Sequence, residues 1–317
     1  MRQNPQQPAS GTAAPHIDTR PSLYQDVTDR IVRELEQGSV PWVKPWNASG
    51  CVLGMPRSAA TRRCYSGINV LILWDAVIRR GFAAQEWLTF RQALRLGGHV
   101  KQGERGTAVC YADRFIPKAE RERAAQDGDE PSTVPFLKRF IVFNLEQCQN
   151  LPAHMTAAVE TASADPLFAA AHALIAATGA VIREGGSEAC YQPDADVIRL
   201  PPRACFLSEA DYLCTAYHEL GHWSAPRLNR DLRHRFGSSA YCREELIAEL
   251  TSAFLCAHLG IAPQVRHADY LSHWVILLRD DPRAIFHAAS QASKASDFLL
   301  AFQNRSEAAI PTAQAAE

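Results

Sequence analysis

The sequence predicts an α+β fold in two domains. Three observations lead there. The chain has 317 residues, enough for about two domains of ordinary size. Segments of helical period and short β-branched runs are mixed along its whole length. Charge is also split: residues 20–118 hold 15 Lys/Arg against 8 Asp/Glu, whereas residues 119–317 hold 17 against 25. That asymmetry points to an anionic partner for the first part and not for the second. Hydrophobic residues at 47% and charged residues at 21% are globular composition, with ample apolar material for cores.

Residues 1–19, rich in Gln, Pro, Ala and Ser, read as a disordered tail. Apolar residues at 23, 24, 27, 31 and 35 with Gly38 behind them predict a helix with a stop. "PWVKPW" is extended and proline-fixed. "YSGINVLILWDAVIRRG" predicts a second helix closed by Gly81, and "QEWLTFRQALRLGG" a third closed by Gly97-Gly98. "HVKQGERGTAVCYADRF" reads as a turn between strands, the acidic stretch around 119–130 as a flexible loop, and "FLKRFIVFNLEQC" as a strand. The first domain spans 20–150, and residues 151–165 are the linker. The second domain spans 166–303: a helix, strands around "AVIREG" and "DVIRLPP", then helices near 208–225, 241–259 and 268–302, the last broken at Asp281-Pro282. Residues 304–317 read as a second disordered tail.

Nine cysteines, an odd number with no C-x-x-C pair, read as reduced thiols of a cytoplasmic protein. No signal peptide and no apolar run of 18 residues is visible, so no membrane partner is expected.

"CTAYHELGHWSAP" carries the chemistry. Ser208 with Asp211 makes a capping box that starts a helix, and Pro226 ends it. His218 and His222 then lie one turn apart on one face, where both imidazoles reach a single Zn2+ at ~2.0–2.1 Å. Glu219 points roughly 100° away, beside the ion, where its carboxylate can act as general base. A third protein ligand is needed. "CREELIAELTSAFLCAHLG" offers Glu245 and Glu249 on one helical face, one to ligate and the other to hydrogen-bond a ligand imidazole.

H-E-L-G-H followed by E-x-x-A-E resembles the glutamate-type zincin metallopeptidases. The resemblance implies a zincin-like fold for the second domain, with Glu245 on the metal and Glu249 behind an imidazole; exchange of those two roles stays open. "DVIRLPP" resembles the zincin edge strand that receives an extended peptide. His267 and Tyr270 are candidate oxyanion stabilisers. The cofactor expected is Zn2+, although the same ligands accept Mn2+ or Co2+.

The first domain interleaves aromatic and basic residues. Candidate DNA-binding side chains are Trp42, Lys44, Trp46, Arg62, Arg63, Tyr65, Lys101 and Arg105, because cations track phosphates and exposed rings stack bases. Trp74 and Phe90, on apolar helix faces, are expected to be buried. "YQDVTDRIVRELEQGSVPWVKPW", "YSGINVLILW", "EWLTFRQALRLGGHVKQGERGTAVCY" and "RFIVFNLEQC" together resemble the amino-terminal domain of ArdC-type antirestriction proteins. That family joins such a domain to a zincin-like one. The resemblance implies binding of single-stranded DNA and protection of incoming conjugative plasmid DNA from host restriction. The alternative is a regulatory zinc metalloprotease that cleaves a host or DNA-bound protein and uses the first domain as a tether.

Overall fold

The computed structural model describes residues 23–43, 53–127, 130, 132–156, 164–263 and 270–308. Lys44, Trp46 and His267 lie outside them.

Helix α1 (Leu23–Glu36) buries Val27, Ile31, Val32 and Leu35 at helical spacing. Helix α2 (Ile68–Arg80) is apolar around most of its circumference and ends at Gly81, whose φ of 68° is the left-handed conformation that only glycine adopts freely. A four-stranded sheet lies beside them in the order β1 (Arg57–Ser58), β2 (Glu86–Thr89), β5 (Val134–Asn144), β4 (Thr107–Phe115). Strands β3 (His99–Val100) and β6 (Cys148–Gln149) form a separate pair.

Three expectations are corrected in this region. The third predicted helix begins as strand β2, because Trp87 and Leu88 pair into the sheet against Asn144 and Phe143. Thr89 and Gln92 then form a capping box, so helix α3 covers only Phe90–Arg95. Phe90, expected inside, is 51% exposed, and Ala93 is the buried residue of that short helix. The expected loop after β4 contains helix α4 (Lys118–Asp127), composed of strong helix formers and braced by the Glu120–Arg123 ion pair.

Short helix α5 (Ala153–Thr156) interrupts the expected linker, and α6 (Ala164–Thr178) follows it. Strands β7 (Val181–Glu184), β8 (Cys190–Gln192) and β9 (Val197–Leu200) form a sheet in the order β7-β9-β8. The expected edge strand, β9, is therefore central, hydrogen-bonded on both sides; the free edges belong to β7 and β8, and β8 lies against α7 (Glu209–Arg227). Helix α8 (Ser239–His258) follows, then α9 (Leu271–Asp280) and α10 (Ala284–Ala308). The predicted break at Asp281-Pro282 separates the last two, and α10 runs five residues into the expected tail. Among the described residues no helix is long and apolar enough to cross a membrane.

The largest core joins the two segments instead of lying in one of them. It combines α1 and α2 with α8, α9 and the first half of α10. Trp42 packs on Trp274 and Trp74 on Phe254, each with ring centroids 5.7 Å apart. Thr28 donates a hydrogen bond to the Pro282 carbonyl at 2.7 Å, and the Gly67 amide donates to Ser293 Oγ at 2.8 Å. A second core, from α6, β9, α7 and the end of α8, supports the histidine helix.

Candidate metal centre

Ser208 Oγ accepts a bond from the Asp211 amide at 3.1 Å and starts α7. The Asp211 carboxylate accepts from the Leu207 amide, so the reciprocal half of the expected capping box falls one residue earlier. Ser238 caps α8 in the same way through the Tyr241 amide. The two helices pack antiparallel, since His218 faces Glu249 while His222 faces Glu244. Their close approach depends on Gly221. A Cβ there would stand 3.0 Å from the Ala248 Cα and 3.3 Å from its Cβ.

His218, His222 and Glu245 each bring one ligand atom within 4.8 Å of the others. The two imidazole Nε2 atoms are 3.2 Å apart. Glu245 Oε2 is 3.5 Å from His218 Nε2, and its Oε1 is 3.6 Å from His222 Nε2. Ligands ~2.0–2.1 Å from an ion at tetrahedral angles stand roughly 3.3 Å from one another. The donor set of two nitrogens and one carboxylate therefore fits a divalent metal ion in type and spacing, and among the described residues it leaves a fourth position for a non-protein ligand.

The other nitrogen of each imidazole is also engaged. His218 Nδ1 faces Glu249 Oε2 at 3.5 Å, and His222 Nδ1 faces Glu244 Oε1 at 3.4 Å. These contacts set the tautomer and aim Nε2 inward. Glu244 is itself gripped by Arg230, Nη2 to Oε1 at 3.0 Å and Nε to Oε2 at 3.2 Å, and Arg230 also donates to the Gly221 carbonyl at 2.7 Å. The Tyr241 hydroxyl donates to Glu245 and stands 3.0 Å from that of Tyr270. Tyr270 thus reaches the centre through Tyr241.

Four glutamates, 219, 244, 245 and 249, are buried here. Burial opposes a charge on His218, yet bonds to Glu245 and Glu249 and the charge of Glu219 prevail and push its pKa up to about 10. Burial likewise raises the Glu245 carboxyl, but the His218 bond and the charge of His222 outweigh it and hold it at about 2. A metal ion would have to displace the His218 proton. Burial, the Tyr270 bond and the Glu245 charge all raise the Tyr241 phenol.

Glu244, Arg230 and Tyr241 escaped the sequence reading. The available signal was the third acid in "EELIAEL": three carboxylates on a helix otherwise too apolar to be exposed each need a partner.

The candidate DNA-binding residues are more scattered. Trp42 is fully buried against Trp274 and presents no face to a base, which corrects its expected role; its proline-flanked turn is folded into the shared core. Arg62 pairs with Glu86. Lys101 Nζ donates to the Glu146 carbonyl at 2.8 Å. Arg105 lines a basic hollow with Arg30, Arg79 and Arg80. Arg63 and Tyr65 line a cleft facing α8 and α10.

Comparison with known proteins adds a frame for both segments. Residues 21–143 match the family described as the N-terminal domain of anti-restriction factor ArdC, and residues 169–291 match the zincin-like metallopeptidase family. The uncharacterised protein y4eC of Sinorhizobium fredii (strain NBRC 101917 / NGR234) is 37% identical over 294 residues, 90% of this chain and 94% of that one. DNA primase TraC of Escherichia coli is 36% identical over 95% of this chain, which spans 29% of the primase. The metal-free crystal structure of antirestriction protein ArdC from plasmid R388 superposes with a TM-score of 0.75 at 39% identity, over 90% of this chain and 98% of that one. Its Mn(II)-bound structure gives 0.72 at 38%, over 89% and 98%.

Proposed function

The chain belongs to the ArdC family of antirestriction proteins, and on that premise we propose that it binds single-stranded DNA and shields incoming conjugative plasmid DNA from restriction. The observation that carries this reading is the joint match: both segments align, in order, with nearly the whole of a solved antirestriction protein. The segment shared with TraC agrees with a conjugative setting. A protease that uses its amino-terminal half only as a tether is less well supported, because that half carries the family's own signature.

The centre on α7 and α8 holds a divalent ion through His218, His222 and Glu245, and zinc suits that donor set. The Mn(II)-bound relative supports a divalent metal here. Such an ion, when bound, would polarise a carbonyl and acidify water. Glu219, buried on the same helix, accepts the proton of the attacking water and returns it to the leaving amine. Glu249 and Glu244 keep the imidazoles in register, and Tyr241 fixes the Glu245 carboxylate. Tyr270, one hydroxyl further out, and His267 remain the candidates to face a developing oxyanion.

The deciding experiment is plasmid transfer into a restricting host with wild type and Glu219→Ala at matched expression. Wild-type protection is expected. Protection retained by Glu219→Ala assigns it to DNA binding; protection lost while strand binding persists assigns it to proteolysis. Wild type that fails to protect overturns the reading.

A further inference from the structure

Two cavities open along the seam between the amino-terminal segment and helices α8 and α10. The larger, about 840 Å³, runs past Arg57 and Lys101 to Leu259. The smaller, about 630 Å³, is lined by Arg63, Tyr65, Tyr111, Ser296 and Asp297 among others. They share Met55, Cys64 and His258 as a common wall, so they abut. None of the metal-centre residues lines either one.

The smaller cavity is firmly built. The Gly67 amide donates to Ser293 Oγ at 2.8 Å, pinning the 63–67 loop against α10, and the Tyr65 amide donates to the Pro56 carbonyl at 2.8 Å, tying the same loop to the segment before it. Tyr65 is half-buried there, while Tyr111 is 58% exposed. The Arg63 guanidinium is exposed and joins no ion pair among the described residues. Ser296 is 2% exposed, and its hydroxyl has no hydrogen-bond partner among the described residues. A helical serine ordinarily returns its hydroxyl to the carbonyl one turn back, and leaving a buried hydroxyl unpaired is unfavourable. Asp297 lies one residue further on, exposed.

Two tyrosine rings, an arginine, one unpaired hydroxyl and one carboxylate do not suit a phosphate alone, which Asp297 would repel. They suit a base. We propose that this cavity takes a single unstacked base of the bound DNA strand, an inference that rests on the single-strand reading above. Tyr65 and Tyr111 stack on its faces and Arg63 holds the adjoining phosphate. Ser296 and Asp297 meet its edge; the carboxylate, being only an acceptor, selects a base with an exocyclic amino group such as cytosine and disfavours thymine. The DNA surface then includes α10, which begins inside the segment that matches the metallopeptidase family and runs past its end.

The test is a fluorescence-anisotropy titration of the full chain with oligo(dC) and oligo(dT) of equal length, across a salt series. Wild type is expected to prefer oligo(dC), and Asp297→Asn to lose that preference. Tyr111→Ala weakens both strands by about 5- to 150-fold with the salt slope unchanged. Arg63→Ala reduces that slope by about one. Tyr111 and Asp297 are exposed, so both changes spare the core, and a thermal melt confirms it. If wild type binds single strands while Tyr111→Ala and Asp297→Asn bind as tightly and with the same preference, the cavity is not a base site and the strand-binding reading survives. If wild type binds no single strand, both fall.

Discussion

His218 and Glu245 face each other across the centre with pKa values displaced in opposite directions. A histidine raised from 6.5 to about 10 contributes stability that is complete below 6.5 and lost as pH climbs through 10. A glutamate lowered from 4.5 to about 2 contributes above 4.5 and loses it as pH falls through 2. The metal-free chain therefore has both contributions in full only between about pH 4.5 and 6.5, and loses them gradually toward pH 2 and pH 10. Metal binding runs the other way: one proton leaves His218 per ion, so affinity rises about tenfold per pH unit below 10. Thermal melts with and without chelator at pH 5.5 and 8.5 should show the metal-dependent gap widen at the higher pH; a constant gap contradicts the assignment. Glu244→Gln is expected to weaken metal affinity roughly 10- to 100-fold in a chelator competition, because His222 loses the carboxylate that orients it. His218, Glu219, His222, Glu245 and Glu249 were legible because their spacing alone puts them on helix faces. Arg230 was not, since nothing local says that a loop arginine eight residues past His222 folds back onto Glu244.

Helices α7 and α8 meet where Gly221 lies against Ala248, so backbone contact there sets the distance on which the ligand spacing depends. Gly221→Ala raises helix propensity and would stabilise an isolated helix by about 0.8–1.0 kcal/mol. In this chain the added methyl meets a neighbouring backbone at 3.0 Å, and the expected result is net destabilisation of about 1–3 kcal/mol with weakened metal binding. Denaturant midpoints read the first and chelator competition the second; a variant more stable than wild type would show that the helices separate freely. Helix α4 was legible from propensity, but its charged residues suggested a loop. The order β7-β9-β8 was not legible, because apolar alternation marks which residues pair and says nothing about which neighbour lies on either side.

Over the whole molecule, the two segments are welded by packing between residues more than 200 positions apart, such as Trp42 with Trp274. Hydrophobic periodicity marks the apolar faces of α1, α2 and α8 without saying what covers them, so it yields two units and a linker and is silent on the core they share. Residues 20–150 and 166–303 produced separately are expected to aggregate or melt without cooperativity, since each exposes half of that core. Two monomeric fragments with sharp transitions would refute this. The welded core also constrains inheritance. A crossover between residues 150 and 165 joins two apolar surfaces that drifted in different lineages, and their mismatched tryptophans and leucines leave holes or clashes. Recombination is therefore expected to move this pair as one heritable block, and substitutions in α1 and α2 to be answered by compensating ones in α8 and α9.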